Sequence, residues 1–159
     1  MHTFTDNSGR VWTLSVNVAA MKRVRALCGV DLASIVEVDE NDRPSFKLLE
    51  QLSSDPILLV DVLFAVCKPE ADARNINDED FAASILGDVI TAATDALLED
   101  IIDFFPEPKR RMLNRLLTLT RRFEKEMTKQ AESVFSAENL AAVEDTLIKS
   151  FGVVPASAE

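Results

Sequence analysis

Residues 55–67 read DPILLVDVLFAVC, and this stretch decides how the rest of the chain folds. Asp55 followed by Pro56 is a strong helix start, because the carboxylate caps unpaired N–H groups and proline suits the first helical position. After Pro56 every residue in the stretch is apolar except Asp61. A helix that is apolar on nearly all sides has to be enclosed by its neighbours. The sequence therefore predicts a central buried helix here, ended by Pro69.

The segment that follows predicts more helix. Asn77 is a suitable N-cap, and the three acids after it lie at the positive end of the helix dipole. Apolar residues then recur at helical spacing, namely Phe81, Ile85, Val89, Ile90, Ala93, Leu97, Ile101 and Phe104 or Phe105. Gly87 interrupts this pattern and is a candidate break in the helix.

The N-terminal segment predicts a β-hairpin. Residues 3–5 precede Asp6-Asn7-Ser8-Gly9, which is rich in turn-forming residues. Beyond this turn Trp12, Leu14 and Val16 alternate with polar residues, which is the pattern of a half-buried strand. Because an isolated two-stranded hairpin is marginally stable, its Trp12 face must pack on a helix or join the sheet of another chain.

Between the hairpin and the central helix, the capping residues predict two further helices and a loop. Asn17 caps a helix that ends at Gly29, and Asp31 caps a short turn. Residues 37–45 carry four acids and no apolar periodicity, which favours an exposed, mobile loop. A helix is then expected over residues 45–52.

The clearest boundary in the chain is Phe105-Pro106-Glu107-Pro108. Beyond it residues 109–135 predict one continuous helix of about 40 Å. Ser136 is expected to cap a final helix that ends at Gly152.

These elements predict a mainly α fold, in which a short N-terminal β-hairpin precedes a bundle of about five to seven helices, including the long helix after Pro108. We expect three parts: residues 1–105 form the hairpin and helical core, 106–152 form a C-terminal helical hairpin, and 153–159 form a frayed tail.

Composition narrows the class of partner. The chain has 159 residues, a formal charge of −10 and a pI near 4.6. Such a chain is repelled by phosphate backbones and anionic lipid, which favours protein partners over nucleic acid or membrane. Cys28 and Cys67 are expected to be buried free thiols, in keeping with a reducing cytoplasm. The polar N-terminal residues predict no signal peptide.

The residues that usually carry chemistry are sparse. His2 is the only histidine and is expected to be a disordered surface residue, so neither a catalytic triad nor a Cys/His metal site is predicted. We predict no enzyme activity, no metal and no cofactor. The acids between residues 78 and 103 suggest a solvated face or a protein-docking patch. The basic residues between 109 and 122 are interpreted as complementing those acids, within one subunit or between subunits, or as meeting an acidic partner or nucleic acid.

A protein-binding surface is the functional feature that the sequence does predict. Its candidate residues are Trp12, Leu116, Phe123, Met127, Val134 and Phe135. Those on the long helix recur at steps of three and four, so they either pack on the final helix or present a groove to a partner helix.

Two blocks of the sequence resemble a known family of proteins. They are FTDNSGRVWTLSVNVAAMKRVRALCGVDL, from Phe4, and DPILLVDVLFAVCKPEADARNINDEDFAASILGD, from Asp55, running on to ALLEDIIDFFP. They resemble the tail assembly chaperones of tailed phages. The resemblance implies a non-enzymatic protein in the bacterial host cytoplasm that binds and solubilises the tape measure protein, with the major tail tube protein as a further partner.

Other functions remain open at this stage. One is a structural virion component, such as a head–tail connector or tail-completion protein. Another is a regulator or nucleic-acid-associated helical protein. We also expect a homo-oligomer, because the N-terminal strand offers an open sheet edge.

Overall fold

The computed structural model describes residues 1–134 and 136–152. Within them the fold is mainly α, with seven helices and a short N-terminal antiparallel hairpin, as the sequence predicts. The elements are β1 His2–Thr5, β2 Val11–Leu14, α1 Val18–Cys28, β3 Glu37–Val38, β4 Pro44–Ser45, α2 Lys47–Ser54, α3 Pro56–Ala73, α4 Asp78–Ala83, α5 Asp88–Phe104, α6 Lys109–Val134 and α7 Ala137–Phe151. None of the described helices has both the length and the hydropathy needed to cross a bilayer.

Helix α3 is the centre of the fold. It contacts α1, α2, α4, α5 and β2, and Leu59, Val62 and Leu63 are among its fully enclosed side chains. Asp55 caps it as predicted, since one carboxylate oxygen accepts hydrogen bonds from the N–H groups of Ile57 and Leu58. The predicted central buried helix is therefore confirmed.

The predicted end of this helix at Pro69 is wrong, because α3 continues to Ala73 with the proline inside it. A proline at position 69 cannot donate to the carbonyl of Ala65, four residues earlier. Arg23 on α1 supplies the missing donor: its Nε lies 3.1 Å from the Ala65 oxygen, and its Nη2 lies 3.3 Å from that of Val66. A tertiary hydrogen bond thus replaces the one that the proline removes.

Replacing Arg23 with alanine should therefore lower the free energy of unfolding by about 1–3 kcal/mol, the cost of leaving a buried carbonyl without a donor. Pro69→Ala restores a backbone N–H, so the double variant should lose less stability than Arg23→Ala alone. Urea unfolding of the four proteins in a double-mutant cycle measures this coupling. Strictly additive losses would show that Arg23 does not compensate for the proline.

The N-terminal hairpin is confirmed. Phe4 pairs with Trp12 across the two strands, and β1 packs on α5. The turn is closed by Asp6, whose N–H donates to the carbonyl of Arg10 and whose Oδ1 accepts from the N–H groups of Ser8 and Arg10. Gly9 occupies the left-handed region at φ 77°, where a glycine is favoured.

Residues 37–44 are exposed as expected and Ser45 is half-buried, but the segment predicted as a mobile loop contains two short strands. Strands β3 and β4 form a second small hairpin. Its turn, Asp39 to Arg43, repeats the hydrogen bonds of the first turn: Asp39 N–H donates to the Arg43 carbonyl, and Asp39 Oδ1 accepts from the N–H groups of Asn41 and Arg43. Asp42 takes the place of Gly9, with φ 56°.

The other predicted helix ends mostly agree with the structure. Asn17 caps α1, Gly29 ends it in the left-handed conformation, and Asp31 caps a 3-10 turn. Asn77 caps α4, and Gly87 separates α4 from α5 with φ 61°. The helix predicted from residue 45 begins at Lys47 instead.

The chain divides into two compact units, which we call the N-terminal unit, Met1–Asn114, and the C-terminal unit, Arg115–Glu159. The division falls within α6, past the proline-rich segment that the sequence suggests as a boundary. In the C-terminal unit the structure describes the second part of α6 and all of α7. Residue Phe135 and the predicted frayed tail 153–159 lie outside the described residues.

Candidate protein-interaction surface

The chemistry-bearing side chains of the described residues form no metal cluster, since no group of three His, Cys, Asp or Glu lies close enough to hold an ion. Both cysteines are free thiols, but only Cys67 is buried as expected, since Cys28 is half-buried. Burial, reinforced by the charge of Glu70, raises the pKa of the Cys67 thiol to about 12, and burial also raises the pKa of Cys28. A thiol with so high a pKa carries almost no thiolate at neutral pH, so Cys67 is a poor nucleophile.

His2 is held in place on the N-terminal unit, so its predicted disorder is wrong. Its ring nitrogens lie 3.1 Å from Glu99 Oε2 and 2.9 Å from Asp103 Oδ2, one turn apart on α5. Asp100 on the same helix is buried and accepts a hydrogen bond from the backbone N–H of Val16. Part of the acidic run on α5 therefore holds the hairpin instead of facing solvent.

Trp12 does not belong to a binding surface, which corrects the sequence prediction. Its side chain is 0% exposed and meets the ring of Phe81 edge-on at 4.8 Å between centroids. The guanidinium of Arg74 stacks over it at 4.9 Å, and its indole N–H donates to Asp6 Oδ2 at 2.8 Å. Of the two alternatives for the Trp12 face, packing on helices of its own chain is the one observed.

The Asp6 carboxylate organises the polar part of this core. Arg10 Nε donates to its Oδ2 at 2.7 Å, and the Ser84 hydroxyl donates to the same oxygen at 3.1 Å. Burial alone would raise the pKa of Asp6, but the hydrogen bonds from Trp12, Arg10 and Ser84 outweigh it and lower the pKa from 3.8 to about 2. The hairpin turn is thereby tied to α4.

Helix α6 carries the exposed surface that the sequence predicts. At about 100° per residue, five of its apolar side chains fall within an arc of roughly 80°, which we call the α6 stripe: Leu116, Leu119, Phe123, Met127 and Val134. Leu116 is half-buried, whereas the other four are exposed, Phe123 at 71%. Gln130 is the polar residue within this arc. Four of the predicted contact residues thus lie together on one helix face.

A line of cations follows one side of the α6 stripe. Arg115, Arg122 and Lys129 recur at steps of seven, which places them on the same edge of the helix. Lys129 lies 3.8 Å from Glu126, whereas Arg115 and Arg122 make no ion pair within the part of the chain that the structure describes. The predicted pairing of the basic run with the preceding acidic helix is not seen for Arg110 and Arg111, which both pair with Glu107 at 3.3 Å.

Helix α7 has an apolar face of its own, which we call the α7 stripe: Leu140, Val143, Leu147 and Phe151. All four side chains are exposed, Phe151 at 76%. Glu144 lies beside them on the same face of the helix. Of the two alternatives for the α6 residues, packing on the final helix is not the one observed among the described residues, since neither stripe covers the other.

Leu119 and the α7 stripe were missed as surface residues, although a signal for them was present. Leu119 completes the steps of three, four and four that run from Leu116 through Phe123 to Met127. Periodicity marks a face as apolar, but it does not tell whether that face is covered by the same chain.

Two uncovered stripes on neighbouring helices make a surface suited to binding amphipathic helices. Each stripe presents apolar side chains at steps of three and four residues, which is the spacing at which one amphipathic helix packs against another. Comparison with known proteins adds no relative, since no protein-family model, curated protein or solved structure matches the chain.

Proposed function

We propose that this protein is a non-enzymatic chaperone that holds an apolar helical segment of another polypeptide against the α6 stripe. The resemblance in sequence supports a phage tape measure protein as that polypeptide, and a tail assembly chaperone of the host cytoplasm as the role of this protein. The observation that carries the proposal is the exposure of Phe123 and its neighbours Leu119 and Met127 on one face of α6.

Exposed apolar side chains of this size are normally scattered over a protein surface. Leu119, Phe123 and Met127 are instead contiguous, which is typical of a site that is covered by a partner. Phenylalanine supplies a large apolar contact, and methionine adapts its shape to different partners. A stripe of this composition suits a client that presents many similar helices.

Charge defines the kind of helix that fits. Helix α6 carries eight Lys and Arg against three Glu, a net charge of +5, within a chain whose net charge is −10. A client helix with acidic residues beside its apolar face would meet the cations of Arg115, Arg122 and Lys129. The acidic remainder of the molecule would face solvent and keep the complex dispersed.

Co-expression tests this function. The chain should raise the soluble fraction of a tape measure protein encoded in the same genome several-fold, and Phe123→Asp should abolish the gain, because it puts a charge at the centre of the apolar contact. Thr128→Asp is the matched control, since it adds the same charge on the opposite, exposed face of α6. The soluble and pelleted client is measured by quantitative blotting.

Loss of solubilisation in both variants, or in neither, would contradict binding through the α6 stripe. No gain with the unmodified chain would overturn the chaperone function itself. A chaperone should also be missing from purified particles, so recovery of the chain at fixed stoichiometry by mass spectrometry would favour a structural virion component instead.

A further inference from the structure

Among the described residues, helices α6 and α7 each carry an exposed apolar stripe, and neither stripe covers the other. The α6 stripe has a cationic edge, whereas a carboxylate, Glu144, lies beside the α7 stripe. Within the described residues neither Arg122 nor Glu144 makes an ion pair, although each lies directly beside its apolar stripe. A second copy of the chain offers a partner to both stripes at once.

We propose that the α7 stripe of one copy packs on the α6 stripe of a second copy, and reciprocally, so that two chains close into a symmetric dimer. The lengths agree: Leu140 to Phe151 spans about 16 Å, and Leu116 to Val134 spans about 27 Å, so the α6 stripe can seat the whole of its partner. In a two-fold dimer this contact occurs twice and leaves no stripe open for further growth.

The charges select this pairing over its alternatives. Two α6 helices would bring Arg122 against a second cationic edge, and two α7 helices would bring two Glu144 side chains together. Pairing α6 with α7 instead places Arg122 next to Glu144 at the edge of the apolar interface. Such complementarity mainly fixes which helices pair and in what register.

The proposed dimer does not depend on whether the client is a tape measure protein. It covers the surface that the proposed function assigns to the client, so the dimer is a sheltered resting state. A client helix would have to displace the α7 of the second copy before it could bind.

Charge reversal on the full-length chain tests the dimer without any client. By sedimentation velocity, the unmodified protein should be a dimer, whereas Arg122→Glu and Glu144→Arg should each weaken association at least tenfold by juxtaposing like charges, a change of about 1.4 kcal/mol or more. The double variant should dimerise again. Lys125→Glu and Asp145→Arg make the same changes of charge on the opposite, exposed faces and should have no effect.

Mixing the two single variants gives the sharpest result. An equimolar mixture should form heterodimers, because each α6 then meets an α7 of opposite charge across the interface. Restoration in the mixture requires that α6 and α7 pair between chains, since pairing within a chain would leave both variants mismatched. A monomeric unmodified chain, or a mixture that remains monomeric, would overturn the dimer while leaving the co-expression result unaffected.

Discussion

Replacing Trp12 with alanine is expected to lower the free energy of unfolding of the N-terminal unit by about 3–5 kcal/mol, as large-to-small substitutions of buried aromatics do. The side chain is 0% exposed, and its loss would leave a cavity against Phe81 and remove the surface on which Arg74 stacks. It would also leave Asp6 without one of its donors. Urea unfolding followed by circular dichroism at 222 nm measures the change.

Two further variants make this result specific. Val11→Ala shortens an exposed side chain on the same strand and should cost well under 1 kcal/mol. Trp12→Phe keeps a ring against Phe81 but removes the indole N–H, so its cost should lie between the two. Because Trp12 is the only tryptophan, emission cannot serve as the common probe. Equal costs for Trp12→Ala and Val11→Ala would contradict a central role for this ring.

The fold could be predicted from the sequence where a local residue decides the backbone. Asn17, Asp55 and Asn77 each mark a helix start, because a short polar side chain satisfies N–H groups in its own first turn. Pro69 was misjudged because its missing donor is replaced from another helix, by Arg23. A tertiary hydrogen bond of this kind cannot be predicted from the residues that lie next to the proline in the sequence.

The second hairpin was missed for a different reason. The sequences DNSGR from Asp6 and DENDR from Asp39 share an aspartate and an arginine four residues apart, with a residue tolerant of positive φ before the arginine. The first lies among apolar residues, which predict a hairpin, whereas the second lies among acids, which predict a loop. The turn chemistry alone would have predicted both.

The candidate surface was predicted only as far as periodicity allows. Phe81 and Phe123 both lie at regular helical spacing, yet Phe81 is 0% exposed and Phe123 is 71% exposed. What separates them is the neighbouring element: α4 packs on α3, whereas Phe123 and its stripe neighbours Leu119, Met127 and Val134 stay exposed among the described residues. Trp12 was assigned to the surface for the same reason, because an apolar strand face can be enclosed by its own chain or by another.

Acid should destabilise the protein through Asp6 in a narrow range of pH. Its pKa is 3.8 when unperturbed and about 2 in the fold, so the unfolded chain binds the proton more readily. The resulting stabilisation, about 2 kcal/mol, is complete above pH 4, is lost as the pH falls from about 4 to about 2, and is absent below that. Asp6→Asn should remove it at every pH and should also disturb the hydrogen bond to Trp12, for a total loss of roughly 3 kcal/mol at pH 7.

The second turn provides the control for this titration. Asp39 makes the same backbone hydrogen bonds as Asp6, but its side chain is exposed and has no Trp12, Arg10 or Ser84 around it. Asp39→Asn should therefore keep the acid dependence of the unmodified protein, whereas Asp6→Asn should flatten it between pH 4 and pH 2. The free energy of unfolding from urea titrations at several pH values gives both curves. If Asp6→Asn kept the full slope, the acid sensitivity would have to come from other carboxylates, and the buried cluster around Trp12 would not hold a low pKa.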